Sequence, residues 1–231
     1  MKRTLQTVPS ATRSAWRRGL HTLLRSDRGS VTIEFVIIVP LMLLVMLGFS
    51  EIYMYMRAVS LVEHTAFTLA DSLGQMSAVI NDPTTSSSNS LGSIWSAATQ
   101  IAAPNTLQAK GGVYITSICD QTIPGCTPAN AANPPFQSSP SMAAGTPLKL
   151  WQQSAPWTLS GMKSKETNGN LLPATWPFRN GDSAIVVEVF YSYTPFSITM
   201  PFWTNAPGTQ TIYERVYVRP RMGKALPLVA S

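Results

Sequence analysis

Apolar residues in this chain follow three different patterns. From Val31 to Phe49 they run almost without interruption, 19 residues broken only by Thr32 and Glu34. A helix of that length covers roughly 30 Å, the thickness of a bilayer's hydrocarbon core. Beyond Gly48 the pattern turns amphipathic. Ile52, Met56, Val59, Val62, Ala66, Leu69 and Leu73 recur at helical spacing, with Glu51, Arg57, His64 and Asp71 between them. Gly74 is a fitting C-terminal stop. The pattern therefore predicts one helix from about Val31 to about Leu73, its first half apolar on every side and its second half lying on something. Pro40 lacks a backbone donor and should kink it.

The third pattern is alternation. In Gly111–Cys119, Val113, Ile115, Ser117 and Cys119 alternate with Tyr114, Thr116 and Ile118, which predicts a strand. Ser183–Tyr193 places Ile185, Val187, Val189, Tyr191 and Tyr193 on one face, after an Asn180-Gly181-Asp182 turn. Thr211–Arg219 sets Ile212, Glu214, Val216 and Val218 opposite Tyr213, Arg215, Tyr217 and Arg219. Residues 81–90 read as a linker, and Ser90 as the cap of a short helix with Leu91, Ile94, Trp95, Ala98 and Ile101 on one face, ended by Pro104. Residues 124–147 hold six prolines and read as a loop. The segment 148–159, LKLWQQSAPWTL, fits helix or coil equally. The stretch 194–210 is apolar and broken by proline, a connection whose Phe196, Phe202 and Trp203 either pack back or stay exposed. Three short antiparallel strands need a helix on one face. The amphipathic half of the long helix is the candidate, giving an α+β fold with a small antiparallel sheet and proline-rich loops.

Charge adds a direction. The net charge is +6, and residues 1–29 alone carry seven Lys or Arg against one Asp. The basicity thus lies in an N-terminal arm, where a short helix around Ala15–Leu24 is compatible with the pattern, and not on a domain face. That disfavours a nucleic-acid partner. Beside a membrane span it sets topology: amino terminus in the cytoplasm, residues from about 50 onward across the membrane. A secretory signal fits poorly, because the apolar run is long and no A-x-A site follows Phe49. Arg17-Arg18 is separated from the run by Arg25, Asp27 and Arg28, which argues against a twin-arginine signal.

Cys119 and Cys126 bracket the turn-forming DQTIPG and fall on the predicted outside, where disulfides persist. Two unpaired buried thiols are the alternative. The C-x6-C spacing lacks the companion ligands of a zinc site, so no metal is expected. His21 and His64 lie in separate segments and form no triad; the tryptophans are dispersed; no glycine-rich phosphate loop is present. No catalytic residues and no cofactor are expected.

Glu34 stands out. A carboxylate inside a membrane run costs up to about 3 kcal/mol, less near the end of the run. It lies five residues after Gly29, behind a basic leader: Arg28-Gly29-Ser30-Val31-Thr32-Ile33-Glu34-Phe35. This arrangement resembles a type IV prepilin processing site. The fuller pattern through residue 52, with Phe35, Pro40 and Leu41, resembles the TadE-like proteins, minor pseudopilins of tight-adherence (Flp-type) pilus systems. Beyond about residue 75 the resemblance is looser. It implies cleavage between Gly29 and Ser30 by a prepilin peptidase, and a pilin-like fold. Glu34 would then be the fifth residue of the mature chain, able to pair with a neighbouring subunit's new amino terminus and set the register of helix packing. Simple snorkelling of Glu34 to the interface is the alternative.

The expected organisation is a basic cytoplasmic leader (1–29), a transmembrane plus amphipathic helix (30–74) and a periplasmic α+β domain (75–231). The expected role is a non-enzymatic minor pseudopilin or assembly component. It would sit singly spanning a bacterial inner membrane or within a pilus at the cell surface, partnered by the prepilin peptidase, other pilins and the pilus machinery. An uncleaved, membrane-anchored module that binds another periplasmic protein is the alternative.

Overall fold

One helix, α1 (Asp27–Gln75), spans 49 residues of the computed structural model, which describes residues 27–136, 142–202, 205 and 207–231. The leader up to Ser26 and Trp203 lie outside the described residues. Met1–Glu51 and Ile52–Ser231 form separate compact units. In the first unit, α1 is apolar all round. Phe35, Leu41 and Phe49 are each more than 60 % exposed, and none of the most apolar 18-residue window is buried. Pro40 stands inside the helix and leaves the Val36 carbonyl without its usual donor.

In the second unit the rest of α1 lies on a sheet. Its buried stripe is Ala58, Val62, Ala66, Leu69, Ala70 and Leu73. This corrects the expected stripe at its beginning: Ile52 and Met56 are exposed, and Val59 only borders the core. The difference is one of helical phase. At about 100° per residue Ala58, Val62, Ala66, Leu69 and Leu73 fall within about 80° of one another, whereas Val59 lies at the flank of that face and Met56 on its outer side.

The sheet has four antiparallel strands in the order β3-β2-β4-β5: β2 Gly111–Asp120, β3 Pro147–Ser154, β4 Ser183–Tyr193 and β5 Gln210–Val218. Val113 pairs with Val189 and Ile115 with Val187, and these side chains pack on the α1 stripe. On the opposite face Ile118, Ala184 and Val186 meet Leu171, Leu172 and Phe178 from a long covering loop. The two central strands are therefore buried on both sides, which a half-buried alternating strand would not be.

The ambiguous segment is strand β3 as far as Ser154 and irregular from 155 to 159. Ser117 pairs with Trp151 and Ile118 with Lys149, so Leu150 is the extra residue of a β-bulge. Leu150 and Trp151 are both buried in the same core. Two successive inward residues break the period of two, and that hid the strand.

The expected linker is an ordered loop. The Asp82 carboxylate accepts from Thr84 N, Thr84 Oγ1 and Ser86 Oγ, each at 2.8 Å. These contacts hold the Asp82 carboxyl below its ordinary pKa, the Thr84 amide contributing most. Ser90 is fully buried; its Oγ donates to the Thr84 and Ser87 carbonyls and accepts from Ser93 N, capping α2 (Leu91–Ile101). Gly92 lies so close beneath this loop that a Cβ there would sit 2.2 Å from the Pro83 carbonyl oxygen. A short helix, α3 (Leu107–Lys110), leads into β2. Two further strands of three residues each, β1 (Val79–Asn81) and β6 (Leu228–Ala230), pair in parallel and were not expected.

Candidate functional site

The stem is built from sequence alone. Gly29 and Ser30 have helical backbone at the start of α1. Glu34 is exposed, with Val31 one turn before it and Ile37 and Ile38 one turn after on the same side. From there to Phe49 every large apolar side chain of the first unit except Val39 is exposed. Each such side chain gains about 1.5–3 kcal/mol when taken out of water, so the stem's stable state is one in lipid or against other apolar helices. Ser50 Oγ donates to the Met46 carbonyl at 2.8 Å and so hides its own polarity.

The cysteines lie in the second unit. Cys119 and Cys126 are bonded, their Cα atoms 6.1 Å apart, closing the turn that follows β2. Beside them Asp120 accepts from Thr122 N, Thr146 N and Gly181 N. Burial pushes this carboxyl up, but the hydrogen bonds, Thr122 Oγ1 foremost, outweigh it and hold the pKa below the ordinary value. Gly181 makes this contact with φ at +83°, in the turn expected before β4.

A polar network that the sequence did not reveal lies on the sheet face away from α1. Glu188, at the centre of β4, has no exposed surface. Its carboxylate accepts from Lys165 N at 2.8 Å, Tyr213 OH at 2.9 Å and Ser164 Oγ. Glu166 Oε1 accepts from Arg215 Nη1 at 2.8 Å and from Tyr217 OH at 3.3 Å. Its buried Oε2 has no hydrogen-bond partner. Burial pushes the Glu166 carboxyl up to about 7, against the pull of Arg215 and with the help of Glu188. Burial, then Glu188, raises the Tyr213 hydroxyl; burial, then Glu166, raises that of Tyr217. Burial works against the Arg215 charge, but Tyr213 and Glu166 outweigh it and keep its pKa above the ordinary value. A carboxyl poised near neutrality beside a second carboxylate has the look of an acid–base pair. Here both side chains are buried; Glu188 on β4 takes hydrogen bonds from the loop's Ser164 and Lys165, and the loop's Glu166 takes them from Arg215 and Tyr217 on β5, so the network pins the loop to the sheet. The available signal was an acid in the middle of a valine-rich strand, facing a Tyr-x-Arg-x-Tyr alternation on its neighbour.

The remaining candidates stay apart. His64 is exposed on α1, and no group of three or more His, Cys, Asp or Glu among the described residues is placed to hold a metal. Trp151 donates to the Leu226 carbonyl, Trp176 stacks near Tyr217, and Trp95 and Trp157 line an open recess of about 280 Å³ beside Pro83 and Pro156.

An α+β unit attached to an apolar stem helix, with an acid near the start of the stem, is the class these features define. Residues 29–71 match the family described as TadE-like protein. The match covers the stem and the amphipathic half of α1. No curated protein and no solved structure matches the chain.

Proposed function

We propose that this chain is a non-enzymatic minor pseudopilin or assembly component of a tight-adherence pilus or related secretion system. It is inserted once in the inner membrane with Ile52–Ser231 on the periplasmic side. The leader is removed between Gly29 and Ser30 by a prepilin peptidase. The observation that carries the reading is the exposed apolar stem with a single carboxylate four residues after Ser30, inside the TadE-like segment. Until assembly, lipid covers the stem; on assembly, neighbouring apolar helices replace it.

The new Ser30 amino group is a cation at the membrane interface, and Glu34 of an adjacent stem is its natural counter-ion. At 4 Å and an effective dielectric constant of about 20 the attraction is about 4 kcal/mol, and it falls steeply if the two helices slip by a turn. Glu34 is thus a register device. Pro40 bends the stem by one missing hydrogen bond, a shape that packing neighbours must share.

Two measurements test this. Amino-terminal sequencing of membrane-extracted chain, from cells with active prepilin peptidase, is expected to begin at Ser30. An intact leader would instead favour the anchored binding module. Glu34→Ala is expected to abolish co-purification with pilus fractions while membrane insertion persists; undiminished assembly would sink the register role.

A further inference from the structure

The connection between β4 and β5 has an unusual composition. From Thr194 to Gln210 the chain contains no charged residue. Ile198 is 52 % exposed and Met200 42 %. The loop leaves β4 at Tyr193, and the Tyr193 ring lies 5.6 Å from that of Tyr55 on α1, tilted by 55°. Phe196 follows with φ at +59°, a left-handed conformation that turns the backbone sharply just after the strand. Tyr55, 37 % exposed, belongs to the uncharged stretch 52–56, in which Tyr53 is 66 % exposed. Tyr55 follows Phe49 by six residues, so even fully extended chain keeps it within roughly 20 Å of the end of the stem.

We propose that Ile198 and Met200, together with Tyr53 and Tyr55, form a second membrane contact that seats in the headgroup layer of the bilayer crossed by the stem. The inference rests on the membrane reading given above and adds a lipid-facing surface to the external unit. Continuity favours lipid as the occupant: the ring pair ties the loop to the part of α1 that the chain cannot carry far from the membrane. Tyrosines are at home in that layer, where the ring is buried and the hydroxyl stays wet, and exposed Ile and Met side chains enter its apolar edge. The next charge on α1, Arg57, is a cation, the sign that anionic headgroups attract.

The test uses the full chain in vesicles of phosphatidylethanolamine and phosphatidylglycerol, with an environment-sensitive fluorophore on one introduced cysteine at a time. The native cysteines are bonded to each other and do not compete. Ile198→Cys probes the loop, Met42→Cys the stem and Met222→Cys a distant exposed site. Met222 adjoins Arg221, which pairs with Asp71 near the far end of α1, 16 residues or about 24 Å along the helix from Tyr55. The label at 198 is expected to be quenched severalfold more by headgroup spin-labelled lipid than the label at 222, and to be shielded from aqueous iodide. Equal behaviour at 198 and 222 overturns the proposal. Shielding at 198 from both quenchers also overturns it, and identifies a protein contact instead. If the label at 42 escapes acyl-chain quenchers, the membrane reading itself fails; if 42 is quenched and 198 is not, only the loop contact fails.

Discussion

The two faces of the four-stranded sheet solve the same burial problem in opposite ways. On one, Val113, Ile115, Val187 and Val189 meet the alanine-rich stripe of α1 in an apolar contact of shape and area. On the other, Glu188, Tyr213, Arg215 and Tyr217 meet Ser164, Lys165 and Glu166 through directed hydrogen bonds and one ion pair. An apolar interface tolerates sliding of its partners until side chains interlock. A desolvated polar one fits a single arrangement and is costly in every other. A regular helix can be held by the first kind of contact. An irregular loop, with no backbone ladder of its own, needs the second.

Substitutions on the two faces should therefore behave differently. The largest effect is expected from Leu73→Ala, which removes a fully buried side chain from the apolar face. It should cost about 2–5 kcal/mol in thermal or chemical unfolding of the full chain in detergent, at every pH.

The polar face should instead show a pH signature. In the unfolded chain the Glu166 carboxyl loses its proton near 4.5, whereas in the folded chain it keeps it until about 7. The unfolded state is thus favoured progressively as pH rises. Stability is highest below 4.5, declines between 4.5 and 7, and is then level, a total of about 3 kcal/mol. Asp120 contributes in the opposite sense, its lowered pKa removing stability only below its ordinary value of 3.8. Unfolding of Glu166→Gln followed from pH 5 to 8 should be flat where the parent chain declines. A parallel decline in both would remove Glu166 from the account.

Glu188→Gln keeps the shape but turns an amide donor towards a site where Ser164, Lys165 and Tyr213 all donate. A loss of about 1–3 kcal/mol is expected, with earlier proteolysis in residues 162–182 than in α1. The smallest effect belongs to Ser90→Ala, about 1 kcal/mol, read as faster amide exchange at the start of α2.

What could be read in advance follows the same division. The stem, the amphipathic half of α1, strands β2, β4 and β5 and the Ser90 cap all announce themselves through periodicity or a local rule. Strand β3 did not, because the bulge at Leu150 places two inward residues in a row. Strands β1 and β6 are too short to show any period. The Glu166–Arg215 pair joins residues 49 positions apart, and no local pattern encodes such a meeting. Of the candidate site, Glu34 was visible because an acid within an apolar run is conspicuous. The meeting of Tyr193 with Tyr55 was not, since it depends on where β4 ends.

The pairing of β6 with β1 has a consequence for biosynthesis. Ala225 and Leu226 are almost wholly buried, and the Leu226 carbonyl receives both Ser117 Oγ and Trp151 Nε1. Strand β6 then lies beside β1, which begins at Val79, shortly after α1 ends at Gln75. Residues 225–230 are made after everything they fasten. During synthesis α1 and strands β2 to β5 are therefore complete before the latch that closes over them. The second unit cannot finish folding until Ala230 has been made.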